Sequence, residues 1–586
     1  MTAPAQPDGP RPPRPPLRPD LTVRQVAADY PGCKDVFLRH GEPDGRPTKF
    51  GHLEPLDHFA RRHGIPLDQL LEQLATAAGA GIDRGAEAAT QAHRPFVAAA
   101  LAVTLTLGAG WGAWLLFEIG LRGTFAAASA GDVVAHGEAQ LWGFVALFVV
   151  GIALRFLPMT TARPRASRAF RAVLLAAFLW GVAGGFAWAL APADWPWLGP
   201  AGGAGLAAAA LGYLAFVVRQ VGASLRPVWA RLVLASAAWL ALGGAATLTL
   251  RTVFAHDGPG GYGEPARLLL IELAVFGFAL NAVYGFGQKL LSGFLGSATP
   301  RRGLIEAAFW LHNLGVAAFV VAWAAQAALP SWLGSAAVAG GAALYAAGMR
   351  GFRRVRRTPP RPELGERFLD RYVQLAFFWL LAGLGLVVAA DLGEVAAGHR
   401  PGHAWLGAAR HALTVGFLTT LMVGVGQRLL PVLGHTLLAW PRLVVPTFVL
   451  IGLGNLIRVT TELATLAFPW AYPLMPASAV LELTALALFT ANALRTMWPA
   501  RDPLLRTGQA TARTPVALLL AEYPWLEDRL CEWGIGYVGR VRSVPAELTL
   551  GTLATTEGHD AAEIVARVNA LLGEARQEGR PTVTGL

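Results

Sequence analysis

Twelve long apolar runs dominate this chain and constrain its fold more than any other feature. About twenty consecutive apolar residues are enough to cross a lipid bilayer as a helix. A helix is also the form in which a single segment satisfies all its own backbone hydrogen bonds there. The runs lie near residues 96–118, 137–158, 170–191, 197–218, 229–250, 267–290, 304–328, 332–350, 368–390, 408–430, 442–466 and 473–496. The sequence therefore predicts an all-α polytopic membrane protein with twelve transmembrane helices.

The charge distribution supports this prediction and adds a topology. Charged residues make up only 15% of the 586 residues, whereas soluble domains have about 25%. Basic residues are concentrated in the loops after the even-numbered runs, for example Arg163, Arg219 and Arg301. The positive-inside rule places these loops and both termini in the cytoplasm. The net charge of +11 thus reflects membrane topology, which predicts contact with membrane lipid and no binding of nucleic acid.

A threefold internal repeat runs through the membrane region. The pattern G-F-x6-G-x3-[RK]-x-L begins at Gly143, at Gly277 and at Gly416, and each copy ends with a basic residue and a leucine at the same offsets. Three equivalent segments about 135 residues apart predict three pseudo-symmetric arcs of four helices. The basic residues that close the repeats, Arg155, Lys289 and Arg428, are expected to snorkel to the membrane surface.

Two histidines stand just before copies of this repeat. His136 precedes Gly143 by seven residues and His411 precedes Gly416 by five. Seven residues correspond to about 20° around a helix, so His136 and Gly143 share a face on which a flat ring has room. Neutral imidazole is the usual axial ligand of haem iron. The sequence predicts His136 and His411 as haem ligands with Gly143 and Gly416 beside the ring; interfacial histidines with packing glycines are the alternative.

Other polar residues give weaker signals. His312 lies in the middle of the seventh run and predicts either a ligand of copper or a second haem, or a hydrogen-bonded core residue. His403, with His399 nearby, lies in the loop before the tenth run and is either a metal-edge residue or a solvated one. The acids Glu118, Glu138, Glu272, Glu306, Asp391 and Glu482 are spread thinly over the spans and predict no proton path. Nucleotide-binding and hydrolase motifs are absent from the sequence.

The segments outside the membrane region form two similar modules. The predicted organisation is a Pro-rich disordered tail (1–19), a small helical module (20–78), a linker (79–94), the twelve-span domain (95–498), a linker (499–512), a second helical module (513–575) and a tail (576–586). Tyr30-Pro31 precedes Gly41 by the same spacing as Tyr523-Pro524 precedes Gly534. Thr22 is expected to cap the first helix, and Gly41, Gly64 and Gly534 to end helices in the left-handed conformation.

These modules resemble the short helical family named for its association with hybrid-cluster proteins. Members often carry a cysteine pair near the glycine that ends the second helix, but Gly41 and Gly534 have none beside them. The resemblance therefore implies docking or regulation through cytoplasmic protein partners, without thiol chemistry.

The membrane region resembles the NnrS family of bacterial haem- and copper-containing membrane proteins. The resemblance covers about residues 95–498. It is carried by His136 with Leu141-Trp142-Gly143-Phe144, and by His411 to Gly416 with Arg428 and Leu433-Gly434-His435-Thr436. It implies a b-type haem, copper as a further cofactor, an inner-membrane location and a role in the response to nitric oxide or nitrosative stress. The chain departs from the family at Glu138, where a second histidine is usual.

A more distant resemblance is to the haem–copper oxidases and nitric oxide reductases, which also have twelve spans in three arcs. Leu413 stands where their second histidine of the tenth span would be, and the seventh span has only His312-Asn313. This implies one haem site without a complete binuclear centre, and we expect no reduction of oxygen or nitric oxide at a respiratory rate. Two alternatives remain: a divergent quinol oxidase or nitric oxide reductase-like enzyme, and a cofactor-free transporter or sensor.

Overall fold

Among the residues that the structure, a computed structural model, describes, twelve helices are long and apolar enough to cross a membrane. They are numbered spans 1 to 12 and comprise Arg94–Arg122, Ala130–Thr161, Arg168–Leu190, Leu198–Val221, Val228–Val253, Glu264–Leu291, Arg302–Ala325, Ala328–Met349, Phe368–Ala397, His403–Leu433, Pro441–Ala464 and Pro469–Met497. Each coincides with one of the apolar runs. The predicted all-α class and the number of spans are confirmed.

The structure describes most of the chain outside its tails and some connecting segments. The described residues are 16–18, 21–40, 56, 59–60, 65, 67–82, 91–161, 163–222, 224–295, 299–350, 364–434, 438–498, 504, 508–516, 519–520, 523, 525–540 and 548–577. Within them, β structure is limited to two isolated bridges, Leu17 with Ile82 and Pro515 with Thr549. Five short 3-10 helices also occur, at Pro31–Cys33, Phe125–Ala127, Gly258–Gly261, Pro441–Leu443 and Pro469–Leu474.

Spans 2, 6 and 10 occupy the inside of the membrane unit. In their most apolar stretches 89%, 72% and 78% of residues are buried, against at most 50% in any other span. The middle of span 6 contacts the middles of spans 2 and 10. Around them, span 4 packs on span 5, span 8 on span 9 and span 12 on span 1. The spans thus form three arcs of four, with the second helix of each arc inside.

Each inner span contains an eight-residue π-helical segment. The segments are Ala139–Ala146, Leu273–Leu280 and Ala412–Thr419. Gly143, Gly277 and Gly416 each occupy the fifth position of their segment. The sequence repeat therefore marks a repeated irregularity of the backbone, of a kind that is rare in helices and often found at functional sites.

The second glycine of each repeat seats the inner span against the first span of its own arc. A methyl group on Gly151, Gly285 or Gly424 would overlap with the side chain of Phe96, Val233 or Tyr372, respectively. Small residues at helix interfaces are what close packing in a membrane requires. These glycines set the same contact in all three arcs.

The chain divides into two compact units. The membrane unit consists of Ala92–Gly434 and Leu438–Trp498, and the second unit of Met1–Gln91, His435–Leu437 and Pro499–Leu586. Helices in the second unit are Val23–Asp29, Lys34–Arg39, Leu67–Ala78, Leu526–Glu532, Tyr537–Arg540, Leu550–Thr556 and Ala561–Gln577.

The two ends of the chain share local structure at equivalent positions. The backbone N–H of Tyr30 donates to the carbonyl of Val26, and that of Tyr523 donates to the carbonyl of Leu519, at the same spacing. The predicted cap is confirmed, because Thr22 forms a capping box with Gln25. The leucines Leu70, Leu71 and Leu74 are buried, as are Ile564 and Val568 in the second module. Gly534 has a φ of +87°, as predicted; Gly41 and Gly64 lie outside the described residues.

Candidate functional site

Spans 2, 6 and 10 begin at the same end of the membrane unit, which is called the histidine end here. At this end, residues of span 1 hold the side chain of His136. Span 1 contains a further π segment, Thr104–Gly108, and Gly108 at its end has φ −85° and ψ −105°. This turn of the backbone makes the carbonyl oxygen of Gly108 available, and Nδ1 of His136 lies 2.9 Å from it. Any side chain at Gly112 would collide with the imidazole ring. Since a carbonyl only accepts, Nδ1 carries the ring proton and the lone pair is on Nε2.

His411 is held in the same tautomer by span 10. Its Nδ1 lies 2.8 Å from the carbonyl oxygen of Gly407, so Nε2 again carries the lone pair. The side chain is 24% exposed, although it stands eight residues inside the span, about 12 Å along the helix.

The two histidines are brought into one cluster with charged residues. His136 lies within electrostatic range of His411, Arg410 and Arg458. Oε2 of Glu462 lies 3.4 Å from Nδ1 of His411, and Oε1 lies 3.3 Å from Nη2 of Arg458. The structure therefore assembles the predicted histidine pair with an arginine–glutamate pair from span 11.

Span 11 also contributes polar atoms that have no hydrogen-bond partner. Both side-chain amide atoms of Asn455 are buried and unsatisfied, as are Nε and Nη1 of Arg458. Buried polar groups in proteins are nearly always hydrogen-bonded. These orphaned atoms indicate that the site receives a polar group that the polypeptide does not supply.

The sequence analysis missed Arg458 and Glu462. Both lie inside an apolar run, four residues apart, and therefore on one face of the helix. A charged pair inside an apolar run, here near the end of span 11, is itself a functional signal. It was available from the sequence and would have identified span 11 as part of the site.

The glycines predicted to line the haem serve helix packing instead. A side chain on Gly143 would meet Val182 of span 3 at 3.3 Å, and one on Gly416 would meet Trp379 of span 9 and Asn455 of span 11 at 2.6 Å. Neighbouring helices fill the space in front of both glycines. Seven residues at 3.6 per turn put His136 and Gly143 on one face only in a regular α-helix, and a π segment lies between them. In the structure, both glycines therefore face neighbouring helices, and the two histidines stay predicted ligands.

His312 is a core residue of the second arc. It is fully buried, its Nε2 lies 2.8 Å from the carbonyl oxygen of Phe276, and its ring packs edge-on against Tyr284. In the described part of the chain, no three His, Cys, Asp or Glu side chains converge as a metal ion would need. The residues around His312 therefore do not fit copper. His435, of the family motif, lies outside the described residues.

His403 lies near the cluster without joining it. It is exposed, packs against Phe125 with ring centroids 4.9 Å apart, and stands within electrostatic range of His411.

The membrane acids are paired rather than thinly spread. Glu138 forms an ion pair of 2.5 Å with Arg251 of span 5, which is fully buried. Asp391 lies 3.2 Å from Arg400, and Glu272 is within electrostatic range of both. Burial, with the charge of Glu138 nearby, raises the pKa of the Tyr262 phenol in the adjoining loop. The spacing along the sequence hid the Glu138–Arg251 pair, because it joins two different arcs.

At the opposite end, Arg155 does not snorkel to the surface as expected, because it is fully buried. His93, just before span 1, is also fully buried. Burial and the charges of Arg155 and Arg94 lower the pKa of His93 to about 3. His93 is therefore neutral at physiological pH.

Together, the fold and site define a polytopic all-α membrane protein whose inner helices present a histidine pair to a polar cluster at one end. The family model described as "NnrS protein" matches residues 88–501. The chain belongs to the NnrS family.

Other comparisons are less informative. No curated protein matches the sequence. Among solved structures, the chain is similar to a haem-copper terminal oxidase dimer determined by cryo-electron microscopy. The two are 12% identical with a TM-score of 0.41, and the match covers 85% of this chain and 100% of the other. So distant a match says nothing about the chemistry of this chain.

Proposed function

We propose that this NnrS-family protein binds a b-type haem between spans 2 and 10, with His136 and His411 as axial ligands, and acts in the response to nitric oxide or nitrosative stress. One observation carries the proposal. Both histidines of the cluster have Nδ1 tied to a backbone carbonyl, so both offer Nε2, in the orientation that second-shell partners usually give to metal-bound histidines.

The residues around the histidines fit this group. Haem carries two carboxylates, and the unsatisfied Nε and Nη1 of Arg458 can each donate a charge-assisted hydrogen bond to a carboxylate oxygen. Asn455 offers a further donor. The two cysteines, Cys33 and Cys531, lie outside the spans, and covalent attachment of haem uses a Cys-x-x-Cys-His motif. The haem would therefore be held without covalent bonds to cysteine.

The residues of the protein would hold the haem and orient the two histidines that bind it. Gly108 fixes the tautomer of His136, Gly112 leaves room for its ring, and Gly407 fixes the tautomer of His411. When bound, the haem would supply a one-electron centre and a position for a diatomic gas. His136 and His411 would both hold the iron, so a gas would compete with one of them for it.

We further propose that the protein lies in the bacterial inner membrane with both termini in the cytoplasm. The argument is the concentration of Lys and Arg in the loops after even-numbered spans. The two terminal helical modules would then meet cytoplasmic protein partners, and no role with nucleic acid is proposed.

The ligand assignment is tested by three alanine variants. We expect His136→Ala and His411→Ala each to remove the optical spectrum of a bis-imidazole haem. His256→Ala, an exposed loop histidine, is the control and should leave the spectrum unchanged. A normal bis-imidazole spectrum in either of the first two variants would exclude that residue as a ligand.

A further inference from the structure

The two histidines differ in what stands behind them. Nδ1 of His411 faces both the carbonyl of Gly407 and the carboxylate of Glu462. Nδ1 of His136 faces the neutral carbonyl of Gly108. The charged groups within electrostatic range of His136 include Arg410 and Arg458. The nearest acid along its own span, Glu138, is engaged with Arg251.

Glu462 is held in a place that is costly for a carboxylate. It is fully buried and lies in the last turn of span 11, which ends at Ala464. The negative end of the helix dipole disfavours an acid at that position. Span 10 makes room for it, since any side chain at Gly407 would overlap with Oε1 of Glu462. An acid retained at such a cost is expected to have a function.

The contacts of Glu462 divide between its two oxygens. Oε1 lies 3.3 Å from Nη2 of Arg458. Oε2 is buried, makes no hydrogen bond and lies 3.4 Å from Nδ1 of His411. When an imidazole binds a cation through Nε2, positive charge is drawn onto the Nδ1–H group. A carboxylate beside that group stabilises it, and in a site of low dielectric constant the effect is large. A carboxylate behind a ligating histidine makes the imidazole a stronger donor.

We propose that Glu462 makes His411 the firmly held axial ligand and leaves His136 as the ligand that a diatomic gas displaces. This inference rests on the proposed function. Glu462 is a positioning residue, because it acts through His411. Arg410 disfavours further positive charge on the ring of His136. Arg458 does so on the rings of both histidines, and Glu462 opposes this effect at His411.

The first test compares the two histidine variants. We expect His136→Ala to keep haem in a five-coordinate form that binds carbon monoxide at once. We expect His411→Ala to bind haem about 10- to 100-fold more weakly than His136→Ala does, the range by which an outer-shell partner changes the affinity of a metal site. Equal loss of haem in the two variants, or better retention by His411→Ala, would overturn the inference. Wild-type protein without haem would instead refute the proposed function.

The second test addresses Glu462 itself. In the His136→Ala background, Glu462→Gln should lower the iron–histidine stretching frequency in resonance Raman spectra and raise the reduction potential, and Glu462→Asp should restore both in part. Glu306→Gln is the matched control, because Glu306 pairs with Arg231, away from the histidines. If the Raman band and the potential are unchanged in Glu462→Gln, Glu462 does not act on His411. If the Glu462→Gln variant does not accumulate, the comparison of His136→Ala with His411→Ala still tests which histidine is held more firmly.

Discussion

At the scale of single residues, buried charge is concentrated where neighbouring arcs meet. Glu138 of the first arc pairs with Arg251 of the second, and Glu272 of the second arc is near Asp391 of the third. Arg251 reaches across three spans: its Nη1 donates to the carbonyl of Gly181, and side chains at Gly185 and Gly202 would overlap with its guanidinium. The ion pair therefore depends on space that small residues leave for it.

The Glu138–Arg251 pair yields a stability prediction. Arg251→Met leaves a carboxylate without its partner and should lower the free energy of unfolding by about 3–5 kcal/mol. Adding Glu138→Gln should recover most of the loss, because no unpaired charge then remains. Unfolding in mixed detergent micelles measures both changes.

The matched control is Arg122→Met, which breaks the i,i+4 pair with Glu118. The side chain of Arg122 is 65% exposed, whereas that of Arg251 is fully buried. The control should cost less than about 1 kcal/mol. Equal effects of the two substitutions would show that the buried pair does not stabilise the fold.

Residue positions were only partly predictable from the sequence. His136 and His411 could be identified because repeat register fixes their depth in two inner spans. Arg251 could not be placed from sequence spacing, since its partner Glu138 lies three spans away in the chain. The contact of Glu462 with His411 could not be placed either, although the four-residue spacing of Arg458 and Glu462 was visible. The π segment between His136 and Gly143 changes the direction of the glycine relative to the histidine.

At the scale of elements, the repeat glycines fix the contact between the first two helices of each arc. In Gly424→Ala the new methyl group would overlap with Tyr372, whose Cγ lies 2.6 Å away. Because the beginning of the Tyr372 side chain is fixed to the backbone, the helices must separate. We expect a loss of about 1–3 kcal/mol, as for other overpacked interiors.

Gly393→Ala in span 9 is the control for Gly424→Ala. A methyl group there meets no atom within 4 Å, so the substitution should stabilise the helix by about 0.5–1 kcal/mol. Thermal unfolding of both variants in the same detergent makes the comparison. A Gly424→Ala protein as stable as the Gly393→Ala protein would contradict the packing role of the repeat.

The helices themselves were predictable, whereas their π segments were not. An apolar run long enough to span a membrane has to be helical, so twelve runs gave twelve spans. A π segment breaks the regular hydrogen bonding of its helix and persists only where its surroundings stabilise it. In span 6, for example, His312 and Ser236 bond to the carbonyls of Phe276 and Phe278. This support comes from spans 5 and 7 and leaves no pattern in the sequence of span 6 itself.

At the scale of the whole molecule, twelve spans place both ends of the membrane unit on one side. We expect that side to be the cytoplasm, because of the arginine-rich loops. A green fluorescent protein fused after Trp498 should fluoresce, and alkaline phosphatase fused there should be inactive. An active phosphatase at this position would reverse the orientation. Fusions in the loop at His256 are the control and should give the opposite result.

The central claim is that His136 and His411 hold one b-type haem in the membrane unit. Its most direct measurement is the haem content and electron paramagnetic resonance spectrum of the full chain, purified from cells supplied with haem precursor. We predict one haem b for each chain, with the low-spin ferric signal of two imidazole ligands. A monodisperse protein that carries no haem, or a haem whose signal shows other ligands, would contradict it.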